Sequence, residues 1–236
     1  MRINRYIASC GITSRRKADE LIREGNVSVN GQKITEPGLE VDETKDIVEV
    51  SGVVITLGEE KVYYALHKPI GYISAVSDNR GRKTVVELID TPHRLYPVGR
   101  LDYMSEGLLL LTNDGEFTNR MIHPRYHIEK TYLVCVSGKE PKNIKDLFQR
   151  GIRIDGYKTK PADIVLLDRK GEILTYRITL FEGRNRQIRK MFQSLNMKVL
   201  SLKRISIGKL QLGDLKEGSY RRLTEQELAY FKTRLK

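Results

Sequence analysis

Residues 99–115 read GRLDYMSEGLLLLTNDG. The second half of this stretch decides the fold. GLLLLT is a short apolar run bounded by turn signals, the pattern of a strand buried on both faces near the middle of a sheet. Asn113-Asp114-Gly115 then turns the chain out of it. Hard against this run stands a charged corner of Arg100, Asp102 and Glu106. A core has no use for Asp102, and a solvent loop has no use for Leu108 to Leu111. The pattern is a reactive carboxylate mounted on a rigid strand.

The flanking sequence builds a sheet around that strand. KVYYALHKPIGYIS (61–74) predicts a strand, a Pro-Gly corner and a second strand, and RLYPVG leads into the opening stretch. EFTNRMI (116–122) predicts a short helix and EKTYLVCVSG (129–138) another strand. PKNIKDLFQRG (141–151) predicts a helix begun by Pro141 and closed by Gly151. GEILTYRITLFEG (171–183) is a long strand. RNRQIRKMFQSL (184–195) is a helix with Ile188, Met191, Phe192 and Leu195 on one face. VLSLKRISIGKLQL (199–212) closes with further strand. The expected class is α+β, a large, mainly antiparallel sheet with helices against it.

The first 58 residues form a separate small unit. Ile3, Ile7 and Ala8 recur at helical spacing. Ser14 caps a second helix running to Glu24, with Ala18, Leu21 and Ile22 facing inward, and Gly25 ends it. VSVNGQKI (27–34) alternates around Asn30-Gly31, a strong hairpin signal, and DIVEVSG (46–52) is a further strand. Gly58-Glu59-Glu60 marks the linker, leaving a second domain over 61–236.

The 236-residue chain carries a net charge of +12, which favours a polyanionic partner. The charge is unevenly placed. Residues 1–35 hold seven basic groups against three acidic, whereas residues 36–60 hold eight acidic groups against Lys45 alone. An acidic strip thus separates two basic regions. No window approaches the ~18 consecutive apolar residues of a membrane span, and the N-terminus is too interrupted for a secretion signal. Cys10 and Cys135 are too few for a disulfide framework, so reduced thiols and a cytoplasmic location are expected. No surplus amphipathic helix points to oligomerisation, so a monomer is expected.

Three segments set ionisable residues beside apolar structure: GRLDYMSEG, EKTY and EGRNRQIRKMF. Asp102 is either a turn cap or a nucleophile or base, and Glu106 adds the alternative of a carboxylate pair like that of a glycosidase, whose separation the sequence does not give. In the third segment Arg186 and Lys190 point away from the apolar face, suited to phosphates, while Arg189 lies on its flank. An arginine there keeps a nearby carboxylate ionised. Tyr132, in a strand, is either packing or a phenol that stacks on a base or exchanges a proton. His123 and His127 are four apart, but Pro124 between them breaks the helix a metal pair needs, and no metal site is expected.

SRRKADELIREGNVSVNGQKI resembles the small RNA-binding module first described in ribosomal small-subunit protein four, covering roughly residues 1–58. Its Ser14-Arg15-Arg16-Lys17 start places three cations on the first turn of a helix, where N–H donors also await phosphates. GRLDYMSEGLLLLTNDG, EKTY, EGRNRQIRKMF and the earlier HKPIGYIS together resemble the motifs of the pseudouridine synthases over about residues 61–230. The pairing with the N-terminal module matches the subfamily acting on ribosomal RNA. Within it, NRQ followed by a basic pair lies nearest the B-type enzymes of the large subunit. Ser105 departs from the threonine of many members but keeps the hydroxyl.

The resemblance implies that Asp102 is the nucleophile, that Tyr132 sits beside the target base and that Arg189 pairs with Asp102. It implies isomerisation of uridine: N1–C1′ breaks, the base turns, and C5 bonds to C1′. Nothing is oxidised and no group is imported, so no cofactor is implied. The base must leave its stack to be reached, and Arg100 is implied to fill the gap. The cations expected at RNA are Arg15, Arg16, Lys17, Arg23 and Lys33 in the first unit. Beyond it they are Lys68, Arg100, Lys130, Arg184, Arg186 and Lys190. The rival readings are a non-catalytic RNA-binding or assembly protein, a small-subunit 16S enzyme, and a glycoside-type hydrolase using Asp102 with Glu106.

Overall fold

The computed structural model describes residues 1–58 and 60–235. Glu59 of the expected linker and Lys236 at the end of the expected second domain lie outside the described residues. The chain divides into two compact units, one of Met1–Val62 with Thr91–Arg94 and Asn113–Gly115, the other holding the remainder.

The first unit runs α1 (Ile3–Ser9), α2 (Arg15–Arg23), β1 (Val27–Val29), β2 (Gln32–Ile34), β3 (Val48–Val50) and β4 (Val53–Ile55). Ser14 Oγ accepts the Lys17 N–H at 3.2 Å, a cap of about 1 kcal/mol. Asn30 and Gly31 take φ of 52° and 78°, the two left-handed residues a two-residue hairpin needs to match strand twist. Ser51 and Gly52 repeat this geometry at 52° and 79°. So the segment expected as one strand over 46–52 is a strand and a turn, and β4 follows. The sheet order is β2-β1-β3-β4. Ile3, Ile7, Ala18, Ile22, Val27 and Val48 close the core beneath the helix pair. Arg15, Arg16, Lys17, Arg23 and Lys33 are all exposed.

The second unit runs β5 (Tyr63–Lys68), β6 (Tyr96–Val98), β7 (Glu106–Thr112), α3 (Gly115–Ile122), β8 (Lys130–Ser137), α4 (Ile144–Arg150), β9 (Arg153–Ile154), β10 (Tyr157–Lys158), β11 (Asp163–Lys170), β12 (Ile173–Leu180), α5 (Gln187–Ser194), β13 (Lys198–Ile207), β14 (Leu210–Gln211), β15 (Tyr220–Arg222) and α6 (Glu225–Arg234). Nine strands form one sheet, with the main path β11-β12-β8-β13-β7-β5-β15 and β6 and β14 pairing to β7 and β13. Every pairing is antiparallel except β13 with β7. The leucine strand β7 lies between β5 and β13, with all four leucines at most 2% exposed. Burial of each is worth about 2 kcal/mol relative to solvent. Leu108 and Leu110 enter a core with Ala65, Phe117, Ile207 and Phe231. Among the described residues no helix is long and apolar enough to cross a membrane.

Three expectations change. The second strand of KVYYALHKPIGYIS is a loop: Ile73 makes one isolated bridge to Thr84, and Ser74 turns its hydroxyl inward to the Leu101 carbonyl at 2.9 Å. The helix expected from Pro141 starts at Ile144. The strands β11 and β15 and the helix α6 have no counterpart in the sequence reading. For α6 a signal was present, because Thr224 and Glu227 form a reciprocal capping box.

Candidate active site

The register of the sheet lays out the site. Lys68 stands opposite Gly107, Gly107 beside Arg204, and Arg204 opposite Tyr132. Residues paired across neighbouring strands share a face, so these four form one row, with Leu202 and Leu180 on the same face further along. Gly107 supplies no side chain to the row for a steric reason. A Cβ there would lie 2.3 Å from the Arg204 carbonyl oxygen, and φ is +108°.

The chain enters β7 through Asp102-Tyr103-Met104-Ser105, which closes as a turn with Ser105 N–H donating to the Asp102 carbonyl at 3.0 Å. A shallow cleft of about 70 Å³, open to solvent, lies over this turn. Arg100, Asp102, Ser105, Tyr132, Leu180, Leu202, Arg184, Arg186 and Ile188 line it. Three of the sequence-derived segments therefore meet at one place. Asp102 is half-buried, and among the described residues its carboxylate makes no hydrogen bond or ion pair, leaving it open to the cleft. Tyr132 is 8% exposed, its ring walling one side.

Arg189 reaches the same loop from α5, but not as expected. It donates through Nη2 to the Met104 carbonyl at 2.6 Å and lies 3.4 Å from Ser105 Oγ, and it forms no ion pair with Asp102. The carbonyl takes the guanidinium, and Asp102 acts on it only through its field. Burial and the neighbouring Arg186 push the Arg189 pKa down, and the Asp102 charge opposes them. Arg189 Nε is buried and, among the described residues, has no hydrogen-bond partner.

Lys68, expected among the cations at RNA, is not at the surface. It is fully buried, and its Nζ donates to the carbonyls of Ser105 at 2.7 Å and Pro69 at 2.9 Å. Burial lowers its pKa to about 8, with the Asp102 charge opposing and Arg204 adding to the fall. Lys130 is half-buried, donates to the Ile128 carbonyl at 2.9 Å and is likewise lowered to about 8 by burial and then Arg204. Lys190 is half-buried and paired with Asp155. Arg100, Arg184 and Arg186 are exposed at the cleft.

Two residues of the site carried no signal recognised in the sequence. Arg204, 2% exposed, donates through Nε to the Leu108 carbonyl at 2.6 Å, and among the described residues its Nη2 has no partner. β13 and β7 pair over only two residues, and Arg204 bridges the point where they part. Glu182 accepts hydrogen bonds from the Tyr157 hydroxyl, the Lys160 N–H at 3.0 Å and Gln187 Nε2 at 2.8 Å. Gln187 in turn accepts the Arg184 N–H at 3.0 Å, and the Arg184 guanidinium stacks 3.5 Å over the Tyr157 ring. The basic loop before α5 is thereby held rigid. Burial and Glu182 raise the Tyr157 phenol to about 12.

Comparison with known proteins assigns this arrangement to a class. The chain belongs to the RNA pseudouridylate synthase family, whose profile matches residues 62–194, and the S4 domain profile matches residues 1–48. Among individual relatives, the chain is 47% identical over 230 residues to the ribosomal large subunit pseudouridine synthase B of Bacillus subtilis, covering 96% of this chain and 93% of that protein. It is 38% identical to the dual-specificity RNA pseudouridine synthase RluF of Shigella flexneri, over 97% of this chain and 77% of that one. A crystal structure of a pseudouridylate synthase superposes with a TM-score of 0.71 at 33% identity, covering 98% and 99% of the two chains.

Proposed function

We propose that this protein isomerises one specific uridine of 23S large-subunit ribosomal RNA to pseudouridine. The observation that carries the reading is an unpaired carboxylate, Asp102, on a fixed turn at the mouth of a cleft walled by Tyr132 and rimmed by arginines. The likeness to the Bacillus subtilis large-subunit enzyme over nearly the whole chain supports the choice of RNA.

The site residues take roles as follows. Asp102 either bonds to the nucleotide or takes a proton from its sugar, and both routes need it ionised and open to the cleft. Tyr132, with Leu180 and Leu202, receives the uracil drawn from its stack, a step costing a few kcal/mol. Arg189 holds the Asp102 loop through the Met104 carbonyl and adds positive field beside the carboxylate. Arg100, Arg184 and Arg186 take backbone phosphates or the vacated stack. Arg15, Arg16, Lys17, Arg23 and Lys33 give the first unit, over residues 1–58, a grip on structured RNA, while residues 61–236 perform the chemistry. The protein acts as a monomer in the cytoplasm.

A gene deletion with pseudouridine mapping across both ribosomal RNAs tests this, with complementation by wild type or Asp102→Asn. The expected result is one lost 23S site restored by wild type alone. A lost 16S site would leave the chemistry standing and move the target. No lost site would favour an RNA-binding role without turnover.

A further inference from the structure

The turn that carries Asp102 also displays Tyr103 and Met104 to solvent, 46% and 54% exposed, and Ile70 beside them is 44% exposed. This exposure is held in place. Gly71 N–H donates to the Tyr103 carbonyl at 3.0 Å, Arg189 holds the Met104 carbonyl at 2.6 Å, and Lys68 holds Ser105 at 2.7 Å. The Tyr103 hydroxyl lies over Gly71, at ordinary contact distance, 3.9 Å, from where a Cβ would stand. A loop anchored at every peptide could carry polar side chains at no cost to the fold. This one carries an aromatic ring and a thioether, with an isoleucine alongside.

We propose that Ile70, Tyr103 and Met104 form an apolar lip that stacks on the RNA bases flanking the uridine drawn into the cleft. The inference rests on the isomerase reading above. Extracting a base leaves its neighbours with exposed faces, and an apolar side chain in the gap restores much of the lost stacking. The surroundings favour bases over a protein partner. Three side chains fall far short of a stable protein interface, and the exposed Arg100, Arg184 and Arg186 line the same cleft, matching the phosphates on either side of a stacked base. Tyrosine and methionine suit this task, because every base presents a π face and neither side chain demands one sequence.

The test uses the full chain with in vitro transcripts of 23S and 16S ribosomal RNA labelled with tritium at uridine C5. Filter binding gives Kd, and tritium release, which accompanies the C5–C1′ bond, gives KM and kcat. Tyr103→Leu combined with Met104→Ala is expected to raise Kd and KM by about 5-fold or more, the loss of roughly one stacked base, with Tm unchanged. Tyr103→Trp is expected to match wild type. Unchanged Kd and KM in the double variant would overturn the lip, as would a Tyr103→Leu defect in kcat alone with no recovery in Tyr103→Trp. A wild type that releases tritium from neither transcript would count against the isomerase reading instead, and the Kd comparison would still decide the lip.

Discussion

The buried ammonium of Lys68 donates to the Ser105 carbonyl at 2.7 Å, tying the end of β5 to the turn that carries Asp102. A single cation inside the sheet thus sets the height of the carboxylate above it, and a second bond to Pro69 fixes the corner that follows β5.

Lys68→Met should therefore unlatch both segments. Each carbonyl left without its donor costs about 1–3 kcal/mol, so denaturant unfolding should show a loss of a few kcal/mol at pH 7, with turnover falling more steeply than RNA binding. The folded pKa near 8 lies below the unfolded value of about 10.4. Between these values the unfolded chain binds the extra proton, so this group adds stability as pH rises through the window. The gap between wild type and Lys68→Met should widen from pH 8 to pH 10. A constant or shrinking gap would contradict the assignment.

Gly107→Ala should be among the most damaging single-methyl changes in the chain. The new Cβ meets backbone on β13, at 2.3 Å from the Arg204 oxygen and 2.5 Å from its nitrogen, so no side-chain rotation relieves it. The left-handed φ adds strain. A loss above about 3 kcal/mol is expected, read by thermal unfolding, with Gly213→Ala as the comparison because nothing lies within 4 Å of a Cβ there.

Glu182→Ala should loosen the loop that presents Arg184 and Arg186. The Tyr157 hydroxyl, the Lys160 N–H and Gln187 Nε2 all lose one acceptor. KM for ribosomal RNA should rise several-fold with a smaller change in kcat, because Asp102 and its turn do not touch Glu182. Equal loss in both constants would point to a wider collapse.

Arg15→Ala with Arg16→Ala should weaken RNA binding without altering the chemical step. Both side chains are exposed on the first turn of α2. If each meets a phosphate, the slope of log Kd against log salt should fall by about 1 per contact. An unchanged slope would remove these residues from the interface.

Much of this was legible before any coordinates. The leucine run predicts a central strand because only a strand buried on both faces tolerates four leucines in succession, and Asn30-Gly31 predicts its hairpin because that pair supplies two left-handed residues. What stayed hidden depends on distant neighbours. Lys68 reads as a surface cation, since nothing local says that the Ser105 carbonyl, 37 positions on, accepts from its ammonium. Arg189 reads as the partner of Asp102, and the Met104 carbonyl takes it instead. Arg204 resembles any strand-borne arginine until β7 is laid beside it. The capping box of Thr224 and Glu227 was a local signal, so α6 was readable.

The position of β13 in the sheet bears on how the molecule comes into being on the ribosome. It lies between β8 and β7, yet it is synthesised about sixty residues after β8 and ninety after β7. A nascent chain that has released Asp102 and Tyr132 still lacks the strand that stands between theirs, and Arg189 emerges only just before it. β8 must wait with one edge open, and β7 with its start at Glu106 and Gly107 unpaired on that side, while the intervening elements are made, the stage at which a chain is most prone to mispairing. No competent cleft can exist until β13 is inserted, so a product of translation that stops short of it has both Asp102 and Tyr132 and still cannot modify RNA.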